Sequence, residues 1–201
     1  MRKRPLQIAF VVLWTAVVIL LVGFGWRLLR ELVPGPEPTT VVPPLPSVAP
    51  PPSEQEITLY FADGETLALR SEKRRTRLGS ETAGNCATII SELIRGPRSP
   101  TLSSTIPSDA QLLGAYQLGD TLVLDFSREL QTNHSGGSAG ELLTVYSIVN
   151  TLAENIHGIS RVQILVEGNE VETLAGHLDL REPLSPNTTW MTDMSSEQPK
   201  V

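Results

Sequence analysis

One cysteine, Cys86, stands in the 201 residues of this chain. No intrachain disulfide can form, and no cluster of thiolates can hold a metal ion. Cys86 falls in register with Ile89, Ile90, Leu93 and Ile94, which predicts a small apolar residue facing a core. Excess positive charge is also missing: the net charge is −6, and a nucleic-acid partner wants a basic face. The local basic run of Arg70, Lys73, Arg74, Arg75 and Arg77 is offset by Glu65, Glu72 and Glu81. It reads as a solvated hairpin edge whose charges block edge-to-edge pairing, with an anionic glycan or membrane surface as the alternative.

Signatures of catalysis are absent too. His134, His157 and His177 have neither the i, i+4 nor the short-loop spacing of a zinc site, so no metal is expected. Each has a structural reading; His157, for instance, suits a cation at a helix C-terminus. No Gly-x-Ser-x-Gly elbow occurs, and no Gly-Lys-Ser/Thr ends the glycine loop. Asp63, Asp125, Glu141 and Glu167 are scattered over turns, strand ends and a cap, and nothing selects two of them as a glycosidase pair. At the end of a strand, Asp125 can start a turn by accepting from backbone N–H groups. No catalytic residue, cofactor or enzymatic activity is expected.

Charge is missing altogether from Leu6 to Trp26, a run of 21 residues behind the basic stub 1–5. As a helix it would be about 31 Å long, close to the hydrocarbon thickness of a bilayer. A cleavable secretory signal would be shorter and would end in an Ala-x-Ala-like site. The run ends instead in Trp26, Arg27 and Arg30, suited to an interface. A transmembrane signal anchor over residues 6–30 is the expectation, with the N-terminus cytoplasmic and the rest outside by the positive-inside rule. Pro34 to Pro52 contains nine prolines, so residues 31–55 read as a semi-rigid polyproline stalk reaching on the order of 60 Å. Pro44-Leu45-Pro46 also admits a reading as a ligand of proline-binding domains.

Residues 56–186 carry the mixed pattern of a folded domain, roughly 130 residues, enough for a self-sufficient core. Alternation at Ile57, Leu59 and Phe61 predicts a strand that turns at Asp63-Gly64 into Thr66–Arg70. A helix is expected from Glu81 to Arg95, stopped by Gly96-Pro97. Leu112–Leu118 and Thr121–Phe126 flank Gly119-Asp120, a two-residue hairpin signal. Ser138 and Glu141 form a capping-box pair, followed by an apolar stripe of Leu142, Val145, Tyr146, Val149, Leu152 and Ile156 up to a stop at Gly158. Val162–Val166 then reads as a strand turning at Gly168-Asn169 into a second short strand. The expectation is an α/β (α+β) fold of order β-β-α-β-β-α-β-β, two helices packed on a mostly antiparallel sheet, with residues 187–201 a disordered tail. If the domain holds a ligand through backbone groups, Gly136, Gly137, Ser138 and Gly140 at the second helix start are the place, since free N–H groups and the helix dipole attract anions. A flexible connection with an ordinary cap explains the same residues.

Several dispersed segments resemble the sporulation and spore germination (GerMN) domain family. They are Leu59-Tyr60-Phe61-Ala62-Asp63, Glu92-Leu93-Ile94-Arg95-Gly96-Pro97, Ile106-Pro107, Leu122–Ser127, Ser147–Leu152, Ile164–Gly168 and Gly176-His177. The resemblance covers roughly Glu56 to Pro186 in a single copy, whereas the family's namesake has two. It implies a non-catalytic bacterial envelope module that works with an envelope protein or peptidoglycan, in sporulation, germination or wall processes. A cell-wall module that binds peptidoglycan or a small ligand, or hydrolyses it, is the alternative. It also implies a structural turn at His177. No lipobox cysteine lies near the apolar run, which argues against the lipoprotein anchor that the resemblance implies for many relatives. The anchor reading predicts that an intact mass of the membrane-extracted protein retains residues 6–26. A species lacking about the first 30 residues would show a cleaved signal instead.

Overall fold

In the computed structural model the described residues are 4–32, 51–134 and 136–191, with side chains in the first segment described from 13 to 29. The chain divides into two compact units, Met1–Ser47 and Val48–Val201. The first contains helix α1, Arg4–Leu32. Every described side chain on it is exposed, including Leu20, Phe24 and Trp26. Among the described residues no helix is long and apolar enough to cross a membrane. Residues 1–3 of the expected basic stub and 33–50 of the expected stalk lie outside the described residues.

The second unit is an α+β fold with two sheets, where the sequence suggested one. The first sheet has the order β2-β1-β3, from β1 (Ser53–Asp63), β2 (Leu69–Leu78) and the two-residue β3 (Leu102–Ser103). The second has the order β4-β5-β6-β7, from β4 (Leu112–Leu118), β5 (Thr121–Phe126), β6 (Arg161–Val166) and β7 (Asn169–Glu170). All pairs are antiparallel except β5 with β6, which run parallel from Thr121↔Arg161 to Phe126↔Val166. Parallel neighbours need a crossover. Here it carries α3 (Glu129–Thr132) and α4 (Ser138–Asn155), while α2 (Thr82–Ile94) connects β2 to β3 within the first sheet.

The sheets separate because a helix occupies the strand edge that would join them. Along β1, residues 58, 60 and 62 direct their backbone groups away from β2, since N–H and C=O orientation alternates along a strand. Ala62 pairs with Ser103 of β3. Thr58 and Tyr60 pair instead with side chains of α4. Asn155 accepts from the Thr58 N–H and donates to its carbonyl, at 2.9 and 2.7 Å. The Thr151 hydroxyl accepts from the Tyr60 N–H at 3.1 Å, and that of Ser147 donates to the Tyr60 carbonyl at 2.6 Å. Covering an edge with a helix is one of the ways proteins prevent further strand addition.

Consequently α4 does not have the single apolar stripe expected of it. Val145, Ile148, Val149 and Leu152 face the core, but Thr144, Ser147, Asn150 and Thr151 are buried as well. Leu142 and Tyr146, expected in the stripe, are only half-buried. The core is continuous across both sheets. It joins Ile57, Leu59 and Phe61 of β1, Cys86, Ile89, Ile90 and Leu93 of α2, Leu122, Leu124 and Phe126 of β5, and Val162, Ile164 and Val166 of β6.

Other expectations shift locally. At the first hairpin the loop is five residues long, and Asp63 accepts from the Glu65 N–H inside it. Leu118 and Thr121 pair around Gly119-Asp120 as the turn signal requires. The last hairpin turns on Glu167 and Gly168, one residue earlier than predicted. Both have positive φ, 51° and 74°, as a type I′ turn demands, so Asn169 opens the strand. Of the basic run, Lys73, Arg75 and Arg77 are exposed on an edge strand, but Arg74 is buried. Its guanidinium donates to the carbonyls of Glu92 and Gly96, pairs with Glu72 and Glu92, and lies 5.3 Å from the Phe61 ring centroid. That arrangement closes the C-terminus of α2, where orphan carbonyls need donors. Asn187 to Met191, expected in the aperiodic tail, form a 3-10 turn, and Met191 bridges to Leu69; residues 192–201 lie outside the described residues.

The α4–β1 contact gives a direct test. Thr151→Val keeps the shape of the side chain and removes the acceptor for the Tyr60 N–H. A loss of about 2 kcal/mol in urea denaturation is expected, from one buried donor left unpaired. Faster hydrogen exchange at the Tyr60 amide should accompany it.

Candidate functional site

At the start of α4 the structure brings Gly136, Gly137, Ser138 and Gly140 together. Gly136 and Gly137 have φ of 80° and 79° and open space where a Cβ would stand. Gly137 is the N-cap and makes no side-chain cap bond, and Ser138 is already the first helical residue. The reciprocal Ser138–Glu141 capping box therefore does not form. Glu141 turns inward instead and is fully buried.

The Glu141 carboxylate holds the loop that follows β7. Oε1 accepts from the Leu174 N–H at 2.7 Å and Oε2 from the His177 N–H at 2.8 Å. The loop closes at its base, where the Leu180 N–H donates to the Glu172 carbonyl at 2.9 Å. Burial pushes the Glu141 carboxyl up, but backbone N–H groups of Ala175, Leu174, His177 and Leu178 outweigh this and bring it below its ordinary value. The loop is a nest of N–H groups occupied by the protein's own anion. Because Glu141 sits in the first turn of α4, it also supplies the negative charge that the helix dipole favours there.

His134 is a staple beside the same helix start. Its Nδ1 accepts from the Gly136 N–H at 3.0 Å, while Nε2 lies 3.0 Å from the Thr144 hydroxyl. That hydroxyl donates to the Thr105 carbonyl, so it accepts from His134 Nε2–H, which sets the neutral tautomer. Burial lowers the His134 pKa, and nearby Glu141 opposes the shift. Protonation at Nδ1 would end its acceptance from Gly136.

Asp125, His134 and Ser138 do not share hydrogen bonds. Asp125 accepts from a backbone N–H, as expected of its type, but at the distant turn residue Gly168, at 2.7 Å. Glu167 accepts from the Arg128 N–H, and Asp63 pairs with Arg70 at 2.5 Å. His177 contributes a backbone N–H to a turn, and His157 lies exposed just beyond α4. Cys86 is buried, and burial pushes its thiol up to about 11, away from thiolate chemistry. Among the described residues no three of His, Cys, Asp and Glu gather as metal ligands.

Two grooves lie elsewhere. One of ≈ 630 Å³ is lined by Tyr60 of β1, Asn150, Ala153 and Glu154 of α4, Ile159, and Pro186, Thr188 and Met191 of the C-terminal segment. Another of ≈ 410 Å³ runs past Pro51, Pro52 and Arg77 to Asn85 and Thr88 of α2. None of the residues expected from sequence as a ligand site lines either. Only the small-polar spacing Thr144, Ser147, Thr151 and Asn155, on a second face of a helical pattern, could have shown that α4 binds a strand edge and walls a groove.

Comparison with known proteins agrees with this architecture. The family model of the sporulation and spore germination (Germane) domain matches residues 58–172, more than half of the chain, and the chain belongs to that family. The tandem GerMN domains of the sporulation protein GerM from Bacillus subtilis superpose with a TM-score of 0.53 at 19% identity, over 70% of this chain and 47% of that one. This chain thus spans about half the length of the tandem protein. The first GerMN domain alone gives 0.51 at 19% identity, covering 65% of this chain and 97% of that one. A protein from Clostridium perfringens described as a candidate lipoprotein gives 0.49 at 24% identity, over 66% and 88% of the two chains. No curated protein gives a significant match.

Glu141 makes the site testable through pH. Its folded pKa is depressed, so its contribution to stability is present above the unfolded value near 4.5 and is lost as pH falls through the folded value. Glu141→Gln replaces one acceptor oxygen with a donor facing N–H groups. A destabilisation of about 2 kcal/mol is expected at pH 7. The difference between variant and parent should shrink below pH 4.5 in parallel urea titrations.

Proposed function

We propose that this chain is a non-catalytic module of the bacterial cell envelope, anchored by its N-terminal helix, carried on a proline-rich stalk, and presenting the family domain to an envelope partner outside the membrane. The observation that carries this reading is the order of segments along the chain. An uncharged run of 21 residues with basic residues on both sides precedes nine prolines in nineteen positions, and the family domain follows. Helix α1 extends beyond the uncharged run at both ends, and its described apolar side chains are exposed all round. The internal engagement of His134, Asp125 and Glu141 supports a binding role over an acid–base one. A partner in spore assembly or germination is suggested by the family's description alone.

Expressed whole in a bacterial host, the chain should sediment with membranes and resist carbonate extraction. Externally added protease should reach the C-terminal unit in spheroplasts. Purified in detergent, it should be retained by peptidoglycan or by an envelope protein offered as separate baits, and it should leave peptidoglycan undigested. Recovery in the soluble fraction, or release of wall fragments, would overturn the corresponding part of the reading.

A further inference from the structure

We infer that His134 is an acid-released latch: as a neutral ring it holds Gly136 at the glycine-rich start of α4, and on taking a second proton it lets that start go while the helix stays docked. The inference does not rest on the envelope reading.

The latch is one end of a directed chain of hydrogen bonds. The Thr144 hydroxyl gives its only hydrogen to the Thr105 carbonyl, at 2.5 Å, so toward the ring it can only accept. Nε2 of His134 lies 3.0 Å from that oxygen and carries the ring proton. Nδ1 is left with its lone pair, which accepts from the Gly136 N–H at 3.0 Å. Turning the ring over offers no alternative, since carbon atoms would then face both partners. Thr105 continues the chain. Its hydroxyl donates to that of Ser147 at 2.7 Å, which in turn donates to the Tyr60 carbonyl of β1 at 2.6 Å. One end of the chain is therefore tied to the strand edge, and the other to a single backbone N–H.

A second proton breaks this chain at one place. Nδ1–H would face the Gly136 N–H, two donors with no acceptor between them, whereas Nε2–H goes on donating to Thr144. Gly136 has little else to hold it. Among the described residues, its bond to His134 is its only hydrogen bond, and nothing lies within 4 Å of where its Cβ or that of Gly137 would stand.

The charges around the ring leave it able to titrate. Burial favours the neutral form, and Glu141 of α4 and the Gly140 carbonyl oppose this without cancelling it, so the pKa lies below the ordinary 6.5. On the neighbouring elements, Asp109 is bonded to Asn133, Glu129 of α3 lies beside Arg128, and His177 gives its N–H to Glu141. Glu141 itself stays ionised while His134 titrates, because its own value lies below 4.5. The contribution of the neutral ring is thus present above 6.5 and is lost as pH falls from there through the folded value.

The test follows the whole chain in detergent micelles by NMR from about pH 8 to about pH 4, across the histidine range. Ring nitrogen shifts should show the proton on Nε2 at the alkaline end. As His134 titrates, the Gly136 amide proton should move upfield and lose about fivefold in protection from exchange, after correction for the intrinsic pH dependence. Its midpoint should coincide with that of the ring and lie below 6.5. The amides of Thr58 and Tyr60 should keep their protection, because α4 remains on β1. His134→Gln should remove the pH dependence of Gly136. Thr144→Val keeps the ring but frees its tautomer, so Gly136 should be less protected already at the alkaline end. An Nδ1–H tautomer there would overturn the inference. So would a Gly136 amide that ignores the ring or changes only with the carboxylates below pH 4.5, or that still titrates in His134→Gln. Loss of protection at Thr58 and Tyr60 with the same midpoint would overturn it too, since His134 would then support the whole fold rather than latch one end of α4.

Discussion

The hydrogen bonds from Ser147, Thr151 and Asn155 to the backbone of Thr58 and Tyr60 are the constraint on which the rest of this domain depends. A strand edge with unpaired N–H and C=O groups invites another strand. Here the invitation is answered by a helix, with three short polar side chains doing what a neighbouring strand would otherwise do. The β1–β2 hairpin is thereby prevented from merging with the four-stranded sheet. Because α4 must lie against the β1 edge, its other side is available to pack on β6, and the parallel β5–β6 pair closes over it. The C-terminal segment is then clipped to the same helix through Asn150 and Asn187, which walls off the groove containing Glu154.

A second consequence concerns charge. Among the described residues, the two most deeply buried charged groups both bond to backbone. Arg74 satisfies carbonyls at the C-terminus of α2, and Glu141 satisfies N–H groups of the loop after β7. A buried charge is tolerated when hydrogen bonds replace its hydration, and each of these is supplied with several. Groups committed in this way are not free for proton transfer.

Much of the architecture is legible in the residues, for reasons that are local. Alternation in Ile57–Phe61 and the Gly119-Asp120 turn predict β1 and the β4–β5 hairpin at their observed places, because strand period and turn chemistry act over a few residues. The stop at Gly96-Pro97 places the end of α2 within about two residues. Misreadings occur where one residue type has two uses. Ser138 with Glu141 spells a capping box, but a glutamate that can reach four backbone N–H groups in a tertiary nest gains more than one reaching back to a single N-cap N–H. Arg74 reads as part of a solvated basic run, and only the fold of α2 across β2 turns it into an internal cap.

The chain's own order of residues determined the segmentation: an uncharged run, a proline-dense stretch, and a domain with two principal helices, its strands and its single inert cysteine. These follow from hydropathy, backbone restriction and side-chain period, each of which operates within a window of sequence. Tertiary structure alone decided that there are two sheets, that β5 and β6 are parallel, that Glu141 faces inward, and that Tyr60, Glu154 and Met191 border one groove. Each of those depends on polar groups pairing across 33 to 97 residues of chain, from Leu174 with Glu141 to Thr58 with Asn155. Short polar side chains can pair with almost any backbone group, so their spacing shows that they share a helix face but not which edge that face will meet.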